Sequence, residues 1–169
     1  GRARDEGLCG IGELSPHSVG ARCDGEGMRA AMSLAAEWGW AVNLHADDPS
    51  GWPYPGKIAT PAEDFLALAA AWPGVRLVLA HWAGGLDVRS LRNVFVDTAA
   101  APLTHGPGAA AWAPLGRTVR PEQVLFGSDY PLRLSPGREA VAGLADFAEQ
   151  ARQNGLGGGD AARSVALFP

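Results

Sequence analysis

The sequence predicts a single-domain α/β fold built on a parallel sheet, and three observations predict it. Five short apolar runs are too rich in Val, Ile, Leu and Phe to be surface strands, and they suit a sheet buried on both faces. Segments with helical spacing lie between them, and strand alternating with helix implies parallel strands joined by right-handed crossovers. No internal repeat or low-complexity linker divides the 169 residues. Residues 1–169 are therefore read as one domain, long enough for a real core.

The elements follow in chain order. LCGIGEL (8–14) is the first strand. EGMRAAMSLAAEWG (26–39) follows as a helix with Met28, Met32 and Ala35 on one face. AVNLHA (41–46) is the second strand. In TPAEDFLALAAAW (60–72), Thr60 as N-cap, Pro61 at the first helical position and Glu63 spell a capping box. Phe65, Leu68, Ala69 and Trp72 then recur at helical spacing. RLVLAH (76–81), NVFVDTA (93–99) and QVLFGS (123–128) complete the strands. HGPGAAAWAP reads as a broken turn of helix. Ser135 and Pro136 open a helix predicted over 135–153, and Asp160 caps a short closing one.

Composition narrows the function classes. Apolar residues make up 47% and charged residues 19%, which argues against disorder, and no apolar stretch is long enough for a membrane span. A net charge of -4 gives no electrostatic reason to expect nucleic acid or an acidic surface as partner. The 14 basic residues include a single lysine, Lys57, in a loop-like YPGK context, which disfavours Schiff-base chemistry. The 2 cysteines, Cys9 and Cys23, exclude a disulfide scaffold, and Cys9 reads as a buried free thiol. With no targeting pattern in GRARDEGLCG, the expected compartment is cytoplasmic.

Chemistry concentrates at the strand ends. Glu13 ends the first strand, His45 the second, His81 the third, Asp97 the fourth and Asp129, in VLFGSDYP, the fifth. A parallel α/β protein builds its sites at that edge, whether the sheet is open or closed. Each residue alone has an ordinary structural role open to it, such as a turn-forming Asp before Tyr-Pro. Five strands ending in Glu, His, His, Asp and Asp are hard to explain by turn chemistry. Two imidazoles and a carboxylate converging suit a divalent ion, zinc first, with an open position for water. His17 in SPHS and His105 in LTHGPG read as solvated loop residues. No GxGxxG or P-loop pattern is present.

GIGEL, VNLHADDP with YPGK, LVLAHWAGGL, NVFVDTAAAPL and VLFGSDYP together resemble the amidohydrolase superfamily. The nearest branch is that of the amidohydrolase-related metal-dependent hydrolases, whose relatives include aminocarboxymuconate-semialdehyde decarboxylase. The resemblance implies part of a (β/α)8 TIM barrel: strands 4 to 8 with their helices, lacking strands 1 to 3. It implies His45 as a metal ligand, and His81 as a second ligand or an orienter of water. Asp129 would touch the metal and shuttle the proton, and Glu13 would fill a bridging position. The family's first strand ends in an HxH pair, and this chain has no HxH. The expectation is accordingly the C-terminal part of a longer barrel. Its unpaired sheet edges would be prone to association, so a homo-oligomer is among the expected states.

The resulting expectation is a metal-dependent hydrolase acting on a carbonyl-centred bond of a small molecule (amide, ester or lactone). The metal is zinc, with manganese or iron as alternatives. His81 and Asp129 are the catalytic residues; His45, His81, Asp129 and Glu13 are the metal site. Alternatives are a metal-dependent decarboxylase of an aromatic or unsaturated acid, with Arg133 holding the carboxylate, and an inactive barrel fragment. A retaining glycosidase using Glu13 and Asp97 is a further reading, and it leaves both histidines unexplained.

Overall fold

The computed structural model describes residues 2–47, 58, 60–132, 134 and 143–156. Five strands form one sheet in the order β1 to β5: β1 (Gly10–Leu14), β2 (Ala41–Leu44), β3 (Leu77–Leu79), β4 (Val94–Asp97) and β5 (Val124–Leu125). Every neighbouring pair is parallel. A doubly wound sheet reverses its strand order at a switch point. This one runs in strict sequence, as an arc of a (β/α)8 barrel does.

The helices are α1 (Arg2–Asp5), α2 (Glu26–Trp38), α3 (Ala62–Ala71), α4 (Ala80–Ala83), α5 (Ala101–Thr104) and α6 (Leu144–Gln153). The Met28, Met32 and Ala35 face of α2 is buried, and Gly39 ends the helix in the left-handed region with its N–H on the Ala35 carbonyl. That closure suits glycine, which has no Cβ to strain. Phe65, Leu68 and Ala69 form the buried face of α3. Its cap differs from the sequence expectation. Pro61 is the N-cap, not the first helical residue, and no side chain caps the end. The predicted starts at Ser135–Pro136 and at Asp160 lie outside the described residues, as do Lys57 and Arg133.

Alternation along the strands sorts the two sheet faces. Val42, Leu44, Leu77, Leu79, Val94, Val96 and Val124 join the main core with α2, α3 and α6. Trp82, Trp112 and Phe147 extend that core. Trp112 stacks on Phe147 at 5.1 Å between centroids, and Trp82 meets Trp112 edge-on at 6.1 Å. The opposite face carries a much smaller cluster, Val78 and Leu125 with Phe95 against them. Two side-chain amides, Gln123 buried and Asn93 half-buried, fasten the connections. Gln123 Nε2 donates to the Val88, Leu91 and Val94 carbonyls, each at 2.9 Å. Asn93 Nδ2 donates to Ala69, Trp72 and Val75. HGPGAAAWAP holds only a 3-10 turn, Gly108–Trp112.

Candidate metal centre

Three polar side chains meet where β1, β2 and β3 end. Glu13 Oε1 lies 2.7 Å from His45 Nδ1 and 3.7 Å from His81 Nε2. The two imidazoles meet edge-to-face at 5.1 Å between centroids. The ligand atoms of Glu13, His45 and His81 all lie within 4.8 Å of one another.

Glu13 reaches this position through an irregularity in β1. The register pairs Ile11 with Val42 but Leu14 with Leu44, so Gly12 and Glu13 together oppose Asn43. Such a bulge re-aims a side chain out of the regular alternation. Only glycine fits at position 12. Its φ is +142°, and a Cβ there would stand 2.7 Å from the Asn43 carbonyl oxygen.

His45 follows β2 directly, and its backbone N–H donates to the Leu14 carbonyl at 2.9 Å. The irregular strand and its neighbour are thus locked together beside the two side chains.

His81 is held by a tight left-handed turn. His81, Trp82 and Ala83 have φ of 55°, 55° and 56°. For residues other than glycine this region costs on the order of 1–2 kcal/mol each, and such strain persists where the surroundings over-determine it. Here they do. The His81 N–H donates to Asp97 Oδ1 at 3.0 Å, and its Nδ1 bonds the Ala99 carbonyl at 3.0 Å. Trp82 is fully buried, with its indole N–H on the Ala111 carbonyl at 3.0 Å. A carbonyl accepts but cannot donate, so Nδ1 carries the proton in this bond. In the neutral ring, Nε2 is then the lone-pair nitrogen, facing Glu13.

The electrostatics follow this geometry. Hydrogen bonding to His45, then the contact with His81, holds the Glu13 carboxyl down at about 2 against the opposing effect of burial. Burial works against a charged His81, but Glu13, the Ala99 carbonyl and Asp97 outweigh it and raise His81 to about 9. Burial raises Asp97, and the N–H groups of His81 and Ala99 oppose that rise. Asp97 Oδ1 accepts both bonds, each at 3.0 Å, so this strand-end carboxylate braces the backbone around His81.

Asp129 lies outside the three-donor cluster. It is half-buried, with φ of 61°, beyond the end of β5. Its approach is fixed by Thr98, whose hydroxyl donates to the Gly127 carbonyl at 2.8 Å and accepts the Gly127 N–H at 3.1 Å.

The donor set fits a divalent ion. It combines a carboxylate oxygen with two imidazole nitrogens, and the second ring nitrogen of His81 is anchored on a carbonyl, as is usual for metal-ligating histidine. Sequence reasoning placed Glu13, His45 and His81 at neighbouring strand ends. It missed the bracing role of Asp97 and Ala99 and the reason for Gly12. It also read His17 as a solvated loop residue, whereas His17 Nε2 is 2.9 Å from Asp64 Oδ2 and its side chain is 18% exposed. Cys23 is the buried thiol, and Cys9 is only half-buried.

Residues 2–164 match the protein family described as Amidohydrolase. No curated protein and no solved structure matches the chain.

Proposed function

The chain belongs to the amidohydrolase family, and from that premise we propose that Glu13, His45 and His81 hold a divalent metal, zinc first and manganese or iron otherwise. The reaction proposed is hydrolysis of a carbonyl-centred bond in a small molecule, in the cytoplasm. The observation that carries this reading is one carboxylate oxygen, Glu13 Oε1, set between two imidazoles at 2.7 and 3.7 Å. The chemistry such an ion supplies is Lewis acidity, which polarises a carbonyl and makes water acidic near neutral pH.

The chain's own groups do the rest. His45 and Glu13 form one wall of the centre. His81, fixed by Asp97 and Ala99 through its backbone N–H and Nδ1, would give its one remaining nitrogen, Nε2, to the ion. Asp129 takes the proton of the attacking water and returns it to the leaving group, an acid–base role worth roughly 10²–10⁴-fold.

Elemental analysis of the purified chain, before and after chelation, tests the centre. Zinc, manganese or iron should be present, and a His45→Ala/Asp129→Ala variant should hold one equivalent less. Equal metal in both proteins would remove the assignment. For the reaction, Asp129→Asn should keep the fold and abolish turnover. Release of CO2 in place of a hydrolysis product would move the chemistry to decarboxylation.

A further inference from the structure

A second group of metal-ligand side chains lies apart from the first, in the β1–α2 connection and the first turn of α3. His17 Nε2 stands 2.9 Å from Asp64 Oδ2 and 3.9 Å from Cys23 Sγ, and the three ligand atoms lie within 4.8 Å of one another. Cys23 is 4% exposed. One imidazole nitrogen therefore faces both a carboxylate oxygen and a thiol sulfur. That nitrogen has either one lone pair or one proton, so it satisfies only one of the two. A cation satisfies all three donors at once.

The spacing agrees with this. Zinc bond lengths of about 2.0–2.3 Å at tetrahedral angles put neighbouring ligand atoms about 3.3–3.6 Å apart. The observed 2.9 and 3.9 Å bracket that range. Cys23 and Asp64 also line a cavity of about 400 Å³ between α2 and α3, bordered by Arg22, Arg29, Leu68 and Trp72. Water in that cavity can supply a fourth ligand.

We propose that His17, Cys23 and Asp64 form a second divalent-metal site, selective for zinc-like ions, that clamps the β1–α2 connection to α3. A cysteine, a histidine and a carboxylate suit zinc over magnesium or calcium, which take oxygen ligands. Burial, with Asp64 and Asp24 nearby, pushes the Cys23 thiol up to about 11. Binding therefore releases a proton and weakens as the pH falls. The site is independent of the Glu13, His45 and His81 centre, which contains no sulfur.

Titration of the metal-stripped chain with Co2+ alone tests the proposal. A sulfur-to-cobalt charge-transfer band in the near ultraviolet is expected, reversed by Zn2+. It should survive Cys9→Ser and Glu13→Gln/His45→Ala and vanish in Cys23→Ser. His17→Ala and Asp64→Asn should each weaken cobalt binding by more than the roughly 10–100-fold that loss of an outer-shell partner costs. No band in the unmodified chain, or a band that persists in Cys23→Ser, overturns the site. Should Cys23→Ser fail to fold, Asp64→Asn decides, because its side chain is 33% exposed. Unchanged cobalt affinity and spectrum in that variant would also overturn the proposal.

Discussion

At the scale of single residues, the centre depends on backbone positions as much as on ligands. Gly12 is the clearest case. In Gly12→Ala, the added methyl meets the Asn43 backbone at 2.7 Å in a φ that L side chains rarely adopt. The bulge must then open, and Glu13 with it. Metal content should drop to that of Glu13→Gln, with a loss of stability of about 2 kcal/mol or more by denaturant unfolding. Wild-type metal content in Gly12→Ala would mean that the bulge does not aim Glu13. Asp97 gives a graded comparison. An asparagine oxygen still accepts both N–H groups without burying a charge, whereas alanine leaves two buried donors unmatched. Asp97→Asn should stay within about 1 kcal/mol of the parent, and Asp97→Ala should lose about 2–5 kcal/mol. Metal affinity should fall in the alanine variant through the loosened His81 turn.

At the scale of elements, the strand ends work as a coupled set. Thr98, fully buried, exchanges two hydrogen bonds with Gly127 and so ties the end of β4 to the segment that carries Asp129. Thr98→Val keeps the shape and loses both bonds. It should cost about 1–3 kcal/mol in unfolding free energy and lower kcat more than KM, since only the residue proposed to transfer the proton is displaced. A change in KM alone would refute that coupling. Strand order, apolar runs and the residues at strand ends were legible in the sequence, because each shows as local composition with a fixed period. The His81–Ala83 turn was not, since His, Trp and Ala carry no mark of positive φ and the turn is imposed by Asp97, Ala99 and Ala111. The bulge at Gly12 is a property of the pairing with β2, so LCGIGEL alone read as a plain strand. The His17–Asp64 contact spans 47 residues of chain, beyond any local pattern.

For the molecule as a whole, the centre ties stability to pH, and the metal should change the sign of its demand. In the metal-free chain His81 is raised from 6.5 to about 9, so its contribution is complete below pH 6.5 and is lost as the pH rises through 9. Glu13 is lowered from 4.5 to about 2, so its contribution is complete above pH 4.5 and is lost as the pH falls through 2. Both contributions are present only between these limits. Asp97, raised by burial, adds a decline of its own above its ordinary range, which Asp97→Asn removes. Metal ligation needs His81 as the neutral base, and hence releases a proton on binding in the same window. Urea unfolding of the metal-free chain should therefore show stability falling between pH 6.5 and 9, by up to about 3 kcal/mol from the titration of His81. His81→Asn should flatten that slope. The metal-loaded chain should hold or gain stability over the same interval, because rising pH removes the proton that competes with the ion. A metal-free chain whose midpoint is level from pH 6.5 to 9, with Asp97→Asn equally level, would show that His81 is not held as a cation by Glu13. The ion pair at the heart of the centre would then have to be replaced by a neutral hydrogen bond.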